Sequence, residues 1–587
     1  MPDVTAADAP AGLTRRDALK LSGLTLGGLA VSGAVGGLAP VLAQADDTCE
    51  SCCSDAPQCD EECCDESEPP PCSWTSTAKA SRYSYFNRLA KFQPFAKTPS
   101  TVQPLGASEM RITLMGTAVP PRGLAQRMVS IFVEVGWQEF VDDYGNAMGL
   151  PRDQFVFDCG TGSTGSYSSM NVGYGRMNKI FLTHLHADHT GDLAHIYCFG
   201  PSADRKSPLW VWGGGASGVR NPNYVDGGSA PEYYDDGTAA FCTHLRDSQR
   251  WHSESFSFQY TAYAGYPDNA PDCDKPSNFI PSDTSRLNWP TTPAGQYADD
   301  PLNDAYAIMP VEILFDWSAD WSTESPEEIL VYDNRATGAK IYAFPVIHTR
   351  KGAVGYRLEW TAPNGETLGM IFTGDTKPER LTLEQAHNSG AGVDVLIHEM
   401  GVPPEVWAMK SGGYQSLDDV PTLGVCLAKR IQNSSHTPQG AFGYLLSQMS
   451  PYPGLTVATH FPTADDTVQC AMNSLKAHLP RVYQGERPNP PSDAPRVTFA
   501  MDLMVITVSF DGNGKRRIRE QRGDINPFGY QATPQRLVRV ENQLAPKYRC
   551  QDQSEANVGD PLAQINSSTT IWPCDESGAC NYRDDGY

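Results

Sequence analysis

The chain of 587 residues sets 45 Lys and Arg against 69 Asp and Glu, a formal charge of −24, and is 40% hydrophobic. That length can bury one large core or two smaller ones. A surface this acidic repels nucleic acid and anionic membranes at long range unless a local basic groove intervenes, which counts against general polyanion binding.

The amino terminus reads as an address. Thr14-Arg15-Arg16-Asp17-Ala18-Leu19-Lys20 precedes an apolar, Gly/Ala-rich run from Leu21 to Leu42, and Ala43-Gln44-Ala45 has the small-x-small form of a cleavage site. These features predict a twin-arginine export signal over 1–45, cleaved before Asp46, and hence a periplasmic or secreted protein. An uncleaved anchor is the alternative, because the run approaches spanning length. Its six glycines make it only weakly hydrophobic, and no other stretch is apolar enough to span, so no transmembrane segment is expected after cleavage.

Residues 46–72 hold Cys49, Cys52, Cys53, Cys59, Cys63, Cys64 and Cys72 among ten acidic residues and no Lys or Arg. In an oxidising compartment this spacing predicts a small disulfide knot of unassigned pairing, with one thiol left over. A thiolate metal cluster is the alternative, although the two-pair spacing of a zinc ribbon is absent. Pro69-Pro70-Pro71 makes a stiff exit, and an irregular lead runs on to Ser108.

Strand patterns follow at Arg111 to Gly116, Met128 to Val135, Gln154 to Asp158, Lys179 to Thr183 and Leu209 to Trp212. Gly213-Gly214-Gly215 after the last reads as an ordinary turn, with lining of a site as the second choice. Residues 221–308 form a tyrosine-rich insertion (Tyr224, Tyr233, Tyr234, Tyr260, Tyr263 and Tyr266 among them) with a helix-like run from Thr238 to Trp251 and a loop rich in Pro, Asp and Asn. A lid with an aromatic wall and a decorative loop are equally compatible with it. Strand patterns resume at Ala343 to Ile347, Ala353 to Trp360, Gly369 to Thr373, Val393 to Ile397 and Leu455 to Thr459, with helix-like runs at Gln439 to Gln448 and Ala464 to His478. Arg496 to Val508 reads as the last core strand. From Asp511 the chain turns polar, with a plausible disulfide between Cys574 and Cys580.

The chemistry concentrates in Phe181-Leu182-Thr183-His184-Leu185-His186-Ala187-Asp188-His189, where an apolar run gives way to three histidines and an aspartate within six residues. At the end of a strand His184 and His186 leave on the same side, because strand side chains repeat every two residues. A turn would then aim Asp188 and His189 at a second point. Imidazole and carboxylate suit zinc, manganese or iron, and two adjacent points suit two metals sharing a water.

Further motifs follow in order: Leu114-Met115-Gly116-Thr117, Phe157-Asp158-Cys159-Gly160, Val346-Ile347-His348, Gly355-Tyr356-Arg357, Phe372-Thr373-Gly374-Asp375-Thr376, Leu396-Ile397-His398-Glu399, Ser435-His436-Thr437 and Ala458-Thr459-His460-Phe461. With the His184 motif, this series resembles the metallo-β-lactamase-fold hydrolases over residues 109 to 510, and within them the ribonuclease Z-like branch that includes arylsulfatases and cyclic-nucleotide phosphodiesterases. The resemblance implies an α/β fold, an αββα sandwich of two mixed sheets flanked by helices. It implies that His184, His186 and His348 hold one divalent ion and Asp188, His189 and His460 a second, with Asp375 bridging. Zinc is the first choice for both ions, manganese or iron the alternatives. It also implies a metal-bridging hydroxide as nucleophile, with Asp188 taking its proton. His436 would stabilise charge or protonate the leaving oxygen, and Glu399 would orient it. Asp158, His195, His244, His252, His387 and His478 are left with structural roles.

Three departures from the family pattern bear on function. Ala187 stands where ribonuclease Z commonly has glycine, and Met400 follows His398-Glu399 where an alanine-threonine pair is usual. No basic Gly/Pro/Lys arm of the kind that grips tRNA is visible as a run. The reading is therefore an exported hydrolase of a small phosphodiester, sulfate ester or related ester, with four segments: signal 1–45, Cys-rich segment and linker 46–108, catalytic domain 109–510 and extension 511–587. The alternatives are a ribonuclease Z-type phosphodiesterase acting on RNA, and a non-catalytic secreted protein that binds a metal or partner on a hydrolase scaffold. A homodimer is left open.

Overall fold

The computed structural model describes residues 105–521; 121–125, 256–262 and 317–325 are among the interruptions, and 402–434 and 462–492 are described only at scattered positions. The export signal, the Cys-rich segment with both its readings, and the Cys574–Cys580 pair lie outside the described residues. Within them, Cys159, Cys198, Cys242 and Cys273 are buried and free. No helix there is long and apolar enough to cross a membrane.

The first half supplies β1 (Met110–Gly116), β2 (Ser130–Val135), β3 (Gln138–Val141), β4 (Ala147–Leu150), β5 (Asp153–Phe157), β6 (Lys179–Phe181), β7 (Leu209–Gly214), β8 (Leu287–Asn288) and β9 (Ile308–Ile313). The second supplies β10 (Ile329–Asn334), β11 (Ala339–Pro345), β12 (Val354–Thr361), β13 (Thr367–Phe372), β14 (Val395–Glu399), β15 (Leu455–Thr459), β16 (Val497–Phe499), β17 (Met504–Phe510) and β18 (Arg516–Gln521). Nine strands form one mixed sheet in the order β18-β17-β1-β2-β5-β6-β7-β9-β8, and seven form another in the order β10 through β16; β3 and β4 make a separate hairpin.

Both faces of each sheet are buried, as the near-continuous apolar strands require. In β5 and β7, Phe155, Phe157, Trp210 and Trp212 point inward, where an aromatic layer joins the sheets: Phe157 meets Phe372 and Tyr356, and Phe181 stacks on Trp212 with centroids 4.4 Å apart. The alternate residues, Val156, Leu209 and Val211, face helices Ser163–Ser169, Leu193–Ala203 and Thr238–Ser248. On the second sheet Ile371, Leu396 and Ala458 face Arg380–His387 and Gln439–Ser447. Helix, sheet, sheet, helix is the αββα sandwich expected above.

Three expectations change. Arg496 to Val508 is not one strand: Val497–Phe499 pairs parallel with β15 in the second sheet, and Met504–Phe510 pairs antiparallel with β1 in the first. The chain crosses between sheets at Leu503, whose φ of 64° turns it. The sheet also runs past residue 510, because Arg516–Gln521 adds an edge strand on β17. The run from Thr238 to Trp251 breaks at Gln249 into two helices.

Candidate metal centre

Strands β5, β6 and β7 run parallel, as do β13, β14 and β15. Their carboxyl ends share one rim of the sandwich, where open sheets expose ligand-binding groups. Asp158 follows β5, His184 follows β6, Asp375 follows β13, Glu399 ends β14 and His460 follows β15, while His348 follows β11, which points the same way across two antiparallel steps.

After β6 the chain is held in place by one buried carboxylate. Asp158 accepts the Thr183 N–H at 2.8 Å, the Thr183 hydroxyl at 2.8 Å and the His189 Nδ1–H at 2.7 Å. Asp158, expected to be only structural, is the carboxylate that orients His189. The signal was present in its place at the end of an apolar strand before Cys159-Gly160, and periodicity alone could not say which histidine it faced. The expected turn is a one-turn helix, Ala187–Thr190, that starts after His186 and carries Asp188 and His189 to one side. Gly374, with φ of 61°, lets the loop before Asp375 press against Thr183, since a Cβ there would lie 2.5 Å from the Thr183 Cβ.

All seven expected ligands come together, in two groups: His184, His186 and His348, and Asp188, His189, Asp375 and His460. Asp375 stands between them. Its Oδ2 is 4.0 Å from His184 Nε2 and 3.7 Å from His348 Nε2, and its Oδ1 is 3.3 Å from both His189 Nε2 and His460 Nε2. His186 Nδ1 lies 3.2 Å from His348 Nε2, and Asp188 Oδ2 lies 3.3 Å from His460 Nε2.

The outer nitrogens fix three tautomers. Thr183 gives its hydroxyl hydrogen to Asp158 and so accepts from His184 Nδ1–H at 3.1 Å, while His348 Nδ1–H donates to the Ser435 carbonyl at 2.8 Å. With His189 bound to Asp158, each of these rings turns its Nε2 inward. His184 Nε2, His189 Nε2 and Asp375 Oδ1 are buried with no hydrogen-bond partner. An unsatisfied buried polar atom costs about 1–3 kcal/mol. Three of them spread over the two ligand groups are what bound cations would satisfy, and imidazole with carboxylate is a donor set for zinc, manganese or iron.

Charge separates the groups. Burial drives the pKa of His184, His186 and His348 below the ordinary histidine value, so these rings are neutral. Burial also opposes the charge on His189, but Asp375, Asp188 and Asp158 outweigh it and raise that pKa well above the ordinary value. Against burial, the neighbouring histidines hold the Asp188 and Asp375 carboxyls well below the usual range.

His436 sits beside this pair. Its Nδ1–H donates to Glu399 Oε2 at 2.8 Å and lies 3.8 Å from Asp375 Oδ2, and 18% of its side chain remains open to solvent. Partial enclosure opposes the imidazolium, yet Glu399 prevails and pushes its pKa up to about 9. Burial pushes the Glu399 carboxyl up as well. The proton belongs on His436, because the Thr376 N–H also donates to Glu399 and stabilises its carboxylate. His195, His244, His252 and His387 belong to none of these groups.

A cleft of about 150 Å³ opens beside His184, His186 and His348, and Gly214 and Gly215 line it. The glycine run is thus part of the site's surroundings and not a plain turn. From the insertion it is Asp236, and none of the described tyrosines, that lines this cleft.

No protein-family model matches the chain. It is 38% identical to ribonuclease Z of Treponema denticola over 61 residues, 10% of this chain and 20% of that protein. The match thus spans about a fifth of the length of that curated relative. Similar solved structures are metallo-β-lactamase-fold proteins. One is the fold member YhfI from Bacillus subtilis, at 11% identity and a TM-score of 0.34, covering 68% of this chain and all of that one. A long-form RNase Z from yeast aligns at 14% identity with a TM-score of 0.34, covering 71% of this chain and 42% of that one.

Proposed function

We propose that this chain is a metal-dependent hydrolase with two divalent ions, zinc first among them, acting on a small phosphodiester, sulfate ester or related ester after export by the twin-arginine route. The observation that carries the reading is Asp375, with one oxygen towards each of two histidine-bearing groups and His436 within 3.8 Å. In this reading His184, His186 and His348 would hold one ion and Asp188, His189 and His460 the other, with Asp375 offered to both. Such a pair supplies a Lewis-acidic clamp and a water activated at neutral pH.

The remaining work falls to the chain's own groups. Asp188, kept ionised, accepts the proton of the attacking water. His436, kept protonated by Glu399, faces the reacting centre and gives its proton to the leaving oxygen. Glu399 then holds the ring in place for reprotonation. No side-chain nucleophile is required.

The names of the curated relatives favour a second reading, a ribonuclease. Against it stand the charge of −24 and the lack of a basic Gly/Pro/Lys arm; the short basic run Lys515-Arg516-Arg517-Ile518-Arg519 lies at edge strand β18, where Arg516 and Arg517 pair with Asp394 and Asp511, and gripping tRNA means neutralising several phosphates. A purely scaffolding role leaves the three orphaned buried atoms without a purpose. The test is one metal-replete preparation, measured for metal content and assayed at matched low salt on p-nitrophenyl phosphodiester, phosphomonoester, sulfate and lactone substrates and on pre-tRNA. About two ions per chain and turnover of a small ester are expected; efficient trimming of pre-tRNA 3′ ends beside inert esters would restore the ribonuclease.

A further inference from the structure

The cleft beside His184, His186 and His348 has a construction of its own. Its base is backbone: a Cβ on Gly214 would lie 1.9 Å from the Gly352 carbonyl oxygen, so only glycine lets the end of β7 and the loop after His348 meet. Asp236 and Lys351 add charge to its lining. The Asp236 carboxylate is already engaged, accepting the Ser217 N–H and the Ser217 hydroxyl, each at 2.8 Å. Lys351 is half-buried, feels the charge of Asp316, and has no hydrogen bond or ion pair among the described residues. A partly buried cation with no close partner among the described residues, in a chain of net charge −24 and in one cleft with the ligand histidines, suits an anionic group.

We propose that this cleft is a second subsite in which Lys351 takes an anionic group, a carboxylate, phosphate or sulfonate, carried on the part of the substrate that does not react. The inference rests on the hydrolase reading and narrows its substrate to esters with a second negative charge. Size agrees: about 150 Å³ is half the lower end of the ~300–1,000 Å³ common for pockets that enclose a whole small molecule, so the cleft takes one end of the substrate. The scissile ester would remain at Asp375 and His436, outside it.

The test is calorimetric titration of the full zinc-loaded chain with propylphosphonate and with 3-phosphonopropionate, which differ by one carboxylate at the far end. The carboxylate should tighten binding about tenfold or more, the scale of one charge-assisted hydrogen bond. In Lys351→Met that gain should vanish, and in Lys351→Arg it should largely return. Free acetate added to propylphosphonate should not reproduce it, because the anion must be tethered to the reacting end. Equal binding of the two ligands by the wild-type chain, a gain that survives in Lys351→Met, or a gain reproduced by free acetate would each overturn the proposal. The wild-type comparison stands even if a variant fails to fold. Should propylphosphonate bind and esters be cleaved with no carboxylate gain, this inference alone falls; should neither ligand bind and no ester be cleaved, the hydrolase reading falls with it.

Discussion

The two ligand groups differ in charge before any metal arrives. His184, His186 and His348 are three imidazoles packed against one another, and burial has already removed their protons. Asp188, His189, Asp375 and His460 mix imidazole with carboxylate, and there the acids keep a proton on His189 against the same burial. Burial therefore acts the same way on all of these histidines, and the charges each one faces decide the outcome. The first group is ready for a cation, while the second must release a proton to accept one.

The most damaging way to test that contrast is Asp375→Ala, which removes the one group common to both sites. It should abolish the second site and lower the rate by about 10³-fold or more, since metal-borne charge stabilisation is worth several kcal/mol. Elemental analysis and a steady-state assay check it; retention of both ions would mean that the bridge is misassigned. His436→Ala leaves both ligand groups whole and should keep two ions while kcat falls roughly 10²–10⁴-fold, the usual range for a lost general acid. Loss of an ion from that variant would move His436 into the ligand set. Asp158→Asn should weaken the second site by about 10–100-fold and the first site less, because His189 bonds that carboxylate directly while His184 reaches it only through the Thr183 hydroxyl. A competition titration with a metal chelator separates the two affinities.

The smallest effect is one of pH. Where a ligand's pKa is raised in the metal-free chain, acid competes with metal early; where it is lowered, acid competes late. As pH falls from about 7.5 towards 5, across the ordinary histidine range, the second site should empty before the first. Metal content after dialysis at each pH reads this directly, and simultaneous loss from both sites would erase the distinction.

The contrast between the sheets explains what could be read from the chain in advance. Beyond β6, His184, His186, Asp188 and His189 lie within six residues and were legible as a cluster. In the second half His348, Asp375, Glu399 and His460 each end or follow a different strand and His436 precedes the helix Gln439–Ser447, so only the order of short motifs joins them. Strand interiors were legible because long apolar runs match a layer buried on both faces. The polar or short strands β3, β4, β8 and β18 were not, since neither alternation nor apolarity marks them, and β9 and β10 were passed over at the margins of the insertion. The break at Leu503 was hidden because both halves of 496–508 are apolar, and composition does not say which sheet a strand joins. Lys351 was invisible for a different reason: a lone lysine in a loop acquires meaning only when Gly214 and Gly352 close a cleft around it.

The crossing at Leu503 has a consequence for how the protein is made. β1 needs β17 as its second partner, and the Thr117 hydroxyl hydrogen-bonds Asp502 at 2.7 Å across 385 residues of sequence. At translation rates of about 5–20 residues per second, that edge of β1 waits on the order of tens of seconds for its neighbour. Contacts so distant in sequence slow folding and leave an open strand edge exposed meanwhile. The rim that carries the candidate ligands, with His460 tied through its own N–H to the Thr117 carbonyl, is thus completed late and after nearly all of the described chain has emerged. Ribosome-held chains ending before residue 504 should accordingly leave β1 amides unprotected against hydrogen exchange on the β17 side, and protection there in such chains would contradict this order of assembly.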